Sequence, residues 1–136
     1  MDTFHVNILA ADRRFYEGPC ESLVISTSEG QFGILAHHRN VIAAIIPGSL
    51  TYRVPGGVNQ IAAVSRGFIK VEDNDVLILA DTIERPEEID ANRAQREIDE
   101  AREILLQKQS IQSYKSAQAR MARAINRLRV KAQQVD

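Results

Sequence analysis

A chain of 136 residues, 44% apolar and 26% charged, has room for one modest core plus a small accessory element, and it cannot form two large domains. Its formal net charge of -1 gives no global attraction for nucleic acid, and no apolar run approaches the roughly 20 residues that span a bilayer. The amino terminus lacks a basic region followed by a hydrophobic stretch, which predicts a protein neither secreted nor integral to a membrane, and the single cysteine, Cys20, excludes an intrachain disulfide and a thiolate metal cluster.

Short β-branched and apolar runs occupy residues 6–9, 23–26, 42–46, 61–64, 68–71 and 76–80. Turn clusters separate them: Ser28-Glu29-Gly30, Pro47-Gly48-Ser49, Pro55-Gly56-Gly57 and Glu72-Asp73-Asn74-Asp75. Many short strands at close spacing predict an antiparallel β-sandwich, or flattened barrel, over residues 1–84. Its clearest hairpin pairs residues 51–54 with 58–62 around Pro55-Gly56-Gly57, where glycine supplies the positive φ. Cys20 is expected to be a half-buried structural thiol, since free cysteine is commonly buried.

Nothing in this part carries catalytic or metal-binding machinery. His37 and His38 are adjacent, so on a strand their side chains point to opposite faces, and no motif supplies a third ligand. There is no glycine-rich phosphate loop leading to a Lys and a Ser or Thr, and no nucleophile elbow. Independent catalysis is not expected, and no metal site is predicted.

Every glycine and every proline lies at or before Pro86, so the remainder reads as uninterrupted helix. Residues 85–136 are predicted to form an antiparallel two-helix hairpin, making the whole chain α+β. Pro86 suits the first turn of the first helix, with Glu87, Glu88 and Asp90 complementing its positive end. Ala91, Ala94, Ile98, Ala101 and Leu105 form one helical seam. After a polar break at residues 108–112, Ile111, Tyr114, Gln118, Met121, Ile125 and Leu128 are expected to form the other. Three of the five positions in the first seam are alanine, so the hairpin is expected to be weakly held.

Acids dominate the first helix, whereas Arg120, Arg123, Arg127 and Lys131 form a basic stripe on the second at spacings of three and four. The stripe is expected to turn away from the Met121 and Leu128 seam and to meet an acidic partner. The plainer reading makes it a solvated face complemented by the acids of the first helix. Nucleic acid is disfavoured, because no aromatic residues interleave with the basic ones. At the junction, Asp90 and Arg93 lie three apart on one helical face and can pair with each other or hold something between them.

Several segments in order, Gly30-Gln31-Phe32-Gly33-Ile34-Leu35 followed by His38, Ile46-Pro47-Gly48, Ala63-Val64-Ser65-Arg66-Gly67-Phe68, Val76-Leu77-Ile78-Leu79-Ala80 and residues 89–94, resemble the epsilon subunits of F-type ATP synthases. The resemblance covers essentially the whole length. It implies a non-catalytic rotor-stalk subunit whose sandwich contacts the gamma subunit and the c-ring, with Gly30, Gln31, Gly33 and His38 in the ring-facing loop. It further implies a regulatory, mobile hairpin. Folded against the sandwich, the hairpin permits ATP hydrolysis. Extended along gamma, it inserts among the catalytic alpha and beta subunits and inhibits, with Arg120, Arg123, Arg127 and Lys131 facing an acidic loop.

The resemblance requires no cofactor but implies a regulatory ATP site, with or without magnesium. Ile89, Asp90, Arg93 and Ala94 match its motif, Arg123 and Arg127 stand where basic residues reach the phosphates, and Glu84 stands where an acid precedes the motif. Glu100 replaces an arginine that nucleotide-binding relatives can carry. Ala36-His37 replaces the usual Pro-Gly before His38, and Arg66 replaces a glycine. The implied location is the cytoplasmic face of the bacterial plasma membrane, with membrane contact only through the complex. The competing class is a free-standing β-sandwich adaptor whose basic helix docks on another acidic protein.

Overall fold

Among the described residues, alternation of apolar and polar side chains builds nine strands: β1 (Phe4–Ala10), β2 (Arg14–Cys20), β3 (Ser22–Thr27), β4 (Gly30–Leu35), β5 (Val41–Arg53), β6 (Asn59–Val64), β7 (Gly67–Glu72), β8 (Asp75–Ala80) and β9 (Ile83–Glu84). The computed structural model describes residues 2–107 and 110–133, and the chain divides into two compact units, Met1–Glu84 and Arg85–Asp136. In the first unit the strands follow the order β2-β1-β8-β7-β5-β3-β4, with β6 alongside β5 and β9 alongside β6. Among the described residues all pairings are antiparallel except that of β1 with β8, which is parallel from His5 opposite Asp75 to Ala10 opposite Ala80. Leu23, Ile25, Ile34, Leu50, Ile69, Ile78 and Ile83 are among the fully buried side chains that fill the sandwich.

Two turns follow from their residue chemistry. Asp73 and Asn74 both take positive φ in the two-residue connection of β7 to β8, the conformation that hairpin turns of this length favour. The Pro55-Gly56-Gly57 hairpin also forms, with Gly56 at φ 74° and the Gly57 N–H donating to the Val54 carbonyl at 3.0 Å.

Pro47-Gly48-Ser49, expected as a turn, instead lies inside the 13-residue strand β5. Residues 41–45 pair with β7 and residues 48–53 with β6, and the register against β3 shifts between Ile25 and Thr27. A proline cannot donate to a ladder, so the strand exchanges neighbours at Pro47 without reversing. Residues 30–35, expected as loop, form the edge strand β4, and β2 is a second strand that the hydrophobic runs did not reveal. β4 contains Gly30 and Gly33 and β2 contains Gly18 and Pro19, residue types that usually interrupt a strand, yet an edge tolerates them because one side of its backbone needs no ladder partner. After β4, His37 takes φ 66°, the left-handed conformation in which glycine is unstrained. The His37 N–H donates to Asn74 Oδ1 at 2.6 Å and the His38 N–H to the Leu35 carbonyl at 3.2 Å, so the turn closes without the glycine.

Gly67 begins β7 between β5 and β8. A Cβ there would intrude on the Leu79 carbonyl oxygen and stand 2.7 Å from Ala80 Cα, both backbone atoms that cannot swing aside. Gly67→Ala is therefore expected to lower the melting temperature of the sandwich by roughly 4 °C or more, in line with the cost of overpacking. An unchanged melting curve would contradict this packing.

Cys20 is fully rather than half buried, and its Sγ donates to the carbonyls of Ser22 at 3.1 Å and Arg53 at 3.4 Å. Burial pushes the thiol pKa up, so little thiolate exists at neutral pH. The native protein should resist a thiol reagent at pH 7 and react once denatured. Rapid labelling of the native protein would show that the thiol is accessible.

In the second unit, Pro86–Glu88 forms a short 3-10 helix in which Glu88 Oε1 accepts the Arg85 N–H at 3.1 Å. Helix α1 (Ala91–Gln107) therefore begins at Ala91 rather than at Pro86. Asp90 caps it, with Oδ1 accepting the Arg93 N–H at 3.1 Å. Helix α2 (Ile111–Ala132) is capped by Ser110, whose hydroxyl accepts the Ser113 N–H at 3.0 Å. Of the predicted break at 108–112, Lys108 and Gln109 lie outside the described residues, while Ile111 and Gln112 are already helical.

The α1 seam forms as expected, with Ala94, Ile98 and Ala101 buried and Ala91 and Leu105 partly so. The α2 seam does not. Ala117, Met121, Ala124 and Leu128 line its inner face, while Ile111 at 78% exposure, Tyr114 and Ile125 lie outside it. Both sets have helical spacing and share Met121 and Leu128. Ala94 and Ala101 on one helix, like Ala117 and Ala124 on the other, are seven apart, so each helix offers the other a face of small residues.

Candidate functional site

The rotation of α2 that buries its alanines also sets its charged flank. Arg120 Nη2 donates to Glu100 Oε2 at 2.7 Å, and Arg127 Nη1 lies 3.7 Å from Glu97 Oε2. Lys131 Nζ donates to the Pro86 carbonyl at 3.0 Å. The stripe is thus not turned away from the seam. It runs along the seam's edge, where long side chains reach the acids of α1 while their stems cover apolar surface. Arg123 is partly exposed, one turn before Arg127, and forms no ion pair among the described residues.

The junction motif divides its work. Ile89 is buried and ends the 3-10 helix by donating its N–H to the Pro86 carbonyl at 3.2 Å. Asp90 spends its carboxylate on the Arg93 backbone and so does not hold the Arg93 side chain. Arg93 Nε instead lies 3.6 Å from Glu97 Oε1. Ala94 packs with Ile98 and Ala124. Glu84 belongs to the sandwich unit, in β9 opposite Ala63.

The guanidiniums of Arg93 and Arg127, from two helices, thus converge on one carboxylate that the motif does not include. The spacing of Glu97, four residues after Arg93, was the available signal. Two such planar donor groups, with Arg123 one turn away, have the chemistry that phosphate oxygens require. Among the described residues no group of three His, Cys, Asp or Glu side chains could hold a metal ion, and no helix is long and apolar enough to cross a membrane.

The sandwich carries two further surfaces. Ile42 (72% exposed), Ala44 and Ile46 share the outward face of β5, and Ala44 stands opposite Phe68, which stands opposite Leu79. An apolar row of this kind across a sheet exceeds the scattered surface hydrophobics of an ordinary protein. On the edge strand β4, Gln31, Gly33 and Leu35 face outward while Ile34 is buried. His38 follows, half-buried, its Nδ1 2.7 Å from the Arg39 carbonyl. Because a carbonyl only accepts, Nδ1 carries the proton in that contact.

The family profile described as ATP synthase, Delta/Epsilon chain, beta-sandwich domain matches residues 3–86, and that of the corresponding long alpha-helix domain matches residues 87–132. The ATP synthase epsilon chain of Ruminiclostridium cellulolyticum is 38% identical over 128 residues, 94% of this chain and 95% of that one. The chain of the same name from Caldanaerobacter subterraneus is 40% identical over 129 residues, 94% and 93% of the two. Among solved structures, a chain of the Euglena gracilis mitochondrial ATP synthase assembly of OSCP, F1 and c-ring superposes with a TM-score of 0.81 at 24% identity, covering 91% of this chain and 78% of that one, a likeness of fold. With both units matched by their own profiles, and with relatives similar across nearly their full length, the chain belongs to the ATP synthase delta/epsilon family.

Proposed function

We propose that this chain is the epsilon-type subunit of a bacterial F-type ATP synthase, a non-catalytic part of the central stalk that links gamma to the c-ring and restrains ATP hydrolysis by switching its hairpin between closed and extended states. The observation that carries the regulatory reading is the α1–α2 seam. It closes on Ala94, Ala101, Ala117 and Ala124, with Ile98, Met121 and Leu128 as its larger side chains. A methyl-sized side chain contributes about 0.8 kcal/mol on burial against about 1.5 to 3 for leucine. The ion pairs that cross the seam, Arg120 with Glu100 and Arg127 with Glu97, are partly or largely exposed and add about 0 to 1 kcal/mol each. Such a closure can be opened by a partner with a few kcal/mol to offer.

In the extended state α2 presents Ile111, Tyr114 and Ile125 for apolar contact with gamma, and it releases Arg120, Arg123, Arg127 and Lys131 for acids on the catalytic subunits. The apolar sheet face around Ile42, Ala44, Ile46 and Phe68 suits the gamma interface. The β4 edge, with Gly30, Gln31, Gly33 and the following His38, suits the c-ring. Arg93, Arg123 and Arg127 supply the donors for a regulatory ATP, with Ile89, Asp90, Ala94 and Glu84 as the remaining motif positions. The complex holds the subunit peripherally at the cytoplasmic face of the plasma membrane.

Capture of the intact chain from solubilised bacterial membranes tests this assignment. Recovery of gamma, the c-ring and the catalytic headpiece is expected. Recovery of a different acidic protein, without headpiece or rotor under conditions that preserve the complex, would favour the adaptor reading.

A further inference from the structure

We infer that Glu97 is a built-in competitor for nucleotide phosphate, a carboxylate that takes the guanidinium donors of Arg93 and Arg127 and so keeps the hairpin closed without ATP. The inference rests on the nucleotide reading above and concerns a residue outside its motif. The two oxygens of Glu97 are shared between helices, Oε1 at 3.6 Å from Arg93 Nε on α1 and Oε2 at 3.7 Å from Arg127 Nη1 on α2. The Arg127 and Glu97 side chains are only 22% and 24% exposed, so their attraction is less screened than that of a surface pair, whereas Arg93 at 73% adds less.

A carboxylate and a phosphate offer arginine the same thing, paired anionic acceptor oxygens. Arginine keeps its charge at any physiological pH, so an anion arriving at Arg127 must either displace Glu97 or sit beside a like charge. Both separations exceed ordinary hydrogen-bond length, so Glu97 makes charge contacts that can be exchanged rather than tight bonds. Glu100 extends the same effect, because its 2.7 Å bond to Arg120 occupies that guanidinium as well. Arg123, without an ion pair among the described residues, is the donor an incoming phosphate meets first.

Calorimetric titration of the full chain with magnesium ATP, and separately with pyrophosphate, tests the inference in the wild type, Glu97→Gln, Glu97→Ala and the double variant Glu97→Ala with Arg127→Ala. Circular dichroism verifies that each retains its helices. Both single variants should bind at least about tenfold more tightly than wild type, the equivalent of one charge-assisted hydrogen bond, and the double variant should lose the gain. Equal affinity in wild type and single variants would overturn the competitor role while leaving the site standing. A gain that survives Arg127→Ala would also overturn it. Absence of binding in all four at millimolar ligand would remove the nucleotide reading and this inference together.

Discussion

Truncation after Glu84 should leave a folded sandwich and raise ATP hydrolysis by the parent complex by about two- to tenfold, the population change that about 0.4 to 1.4 kcal/mol represents. Folding of the fragment follows from where its core lies. The cluster that includes Phe4, Leu23, Ile34, Leu50, Ile69 and Ile83 is drawn wholly from the first unit. Its last strand is tied within that unit as well. Ile83 and Glu84 pair with Val64 and Ala63, the Thr82 N–H donates to Ser65 Oγ at 2.8 Å, and Arg13 Nη2 donates to the Ile83 carbonyl at 2.8 Å. A cooperative thermal melt of the fragment, and hydrolysis by the complex reconstituted with fragment or full chain, measure the two halves of the prediction. Hydrolysis unchanged by truncation would remove the inhibitory role. A fragment that melts without cooperativity would show that the sandwich needs its hairpin.

Ala124→Leu should drive the hairpin toward its extended state and strengthen inhibition. Ala124 is wholly buried in the cluster with Ala94 and Ile98. Leucine adds three carbons where the helices meet, at a cost of about 1 to 3 kcal/mol to the closed state, while an extended α2 has no facing helix to clash with. The closed-to-extended ratio should then fall by about fivefold to a hundredfold. Fluorescent labels on α1 and α2 report the separation, and hydrolysis by the complex reports the consequence. Ala119→Leu, on the exposed side of α2, is the control and should change neither. If Ala124→Leu leaves the separation as it was, or accelerates hydrolysis, closure of this seam does not gate the enzyme.

These two experiments depend unequally on the sequence. The turn at Asp73 and Asn74, the hairpin at Gly56 and the division near Pro86 were all legible, because positive φ and the absence of helix breakers are properties of single residues and short segments. The edge strands β2 and β4 were not, since an edge accepts the glycines and proline that elsewhere end a strand. Nor was the passage of β5 through Pro47, where a turn signal is overridden because both halves of the strand find partners in different neighbours. At the candidate site the second-helix arginines were legible from their spacing as a basic stripe and as phosphate contacts only through the family resemblance, whereas the contact of Arg127 with Glu97 across the helices was not legible.

By itself, then, the sequence determined that strands precede helices, that the first helix presents a seam rich in alanine and that the second is basic, because composition and periodicity are local. Only the tertiary structure decided how α2 is rotated on α1. The seam through Ala117 and Ala124 differs from the one through Gln118 and Ile125 by roughly 60°, less than one residue's step of about 100°. That angle is chosen by the fit of two surfaces and by where acids and bases meet across them. It buries alanines in place of larger residues, leaves Ile111 and Tyr114 exposed, and brings Arg127 to Glu97, a pairing of residues thirty positions apart that neither helix specifies alone.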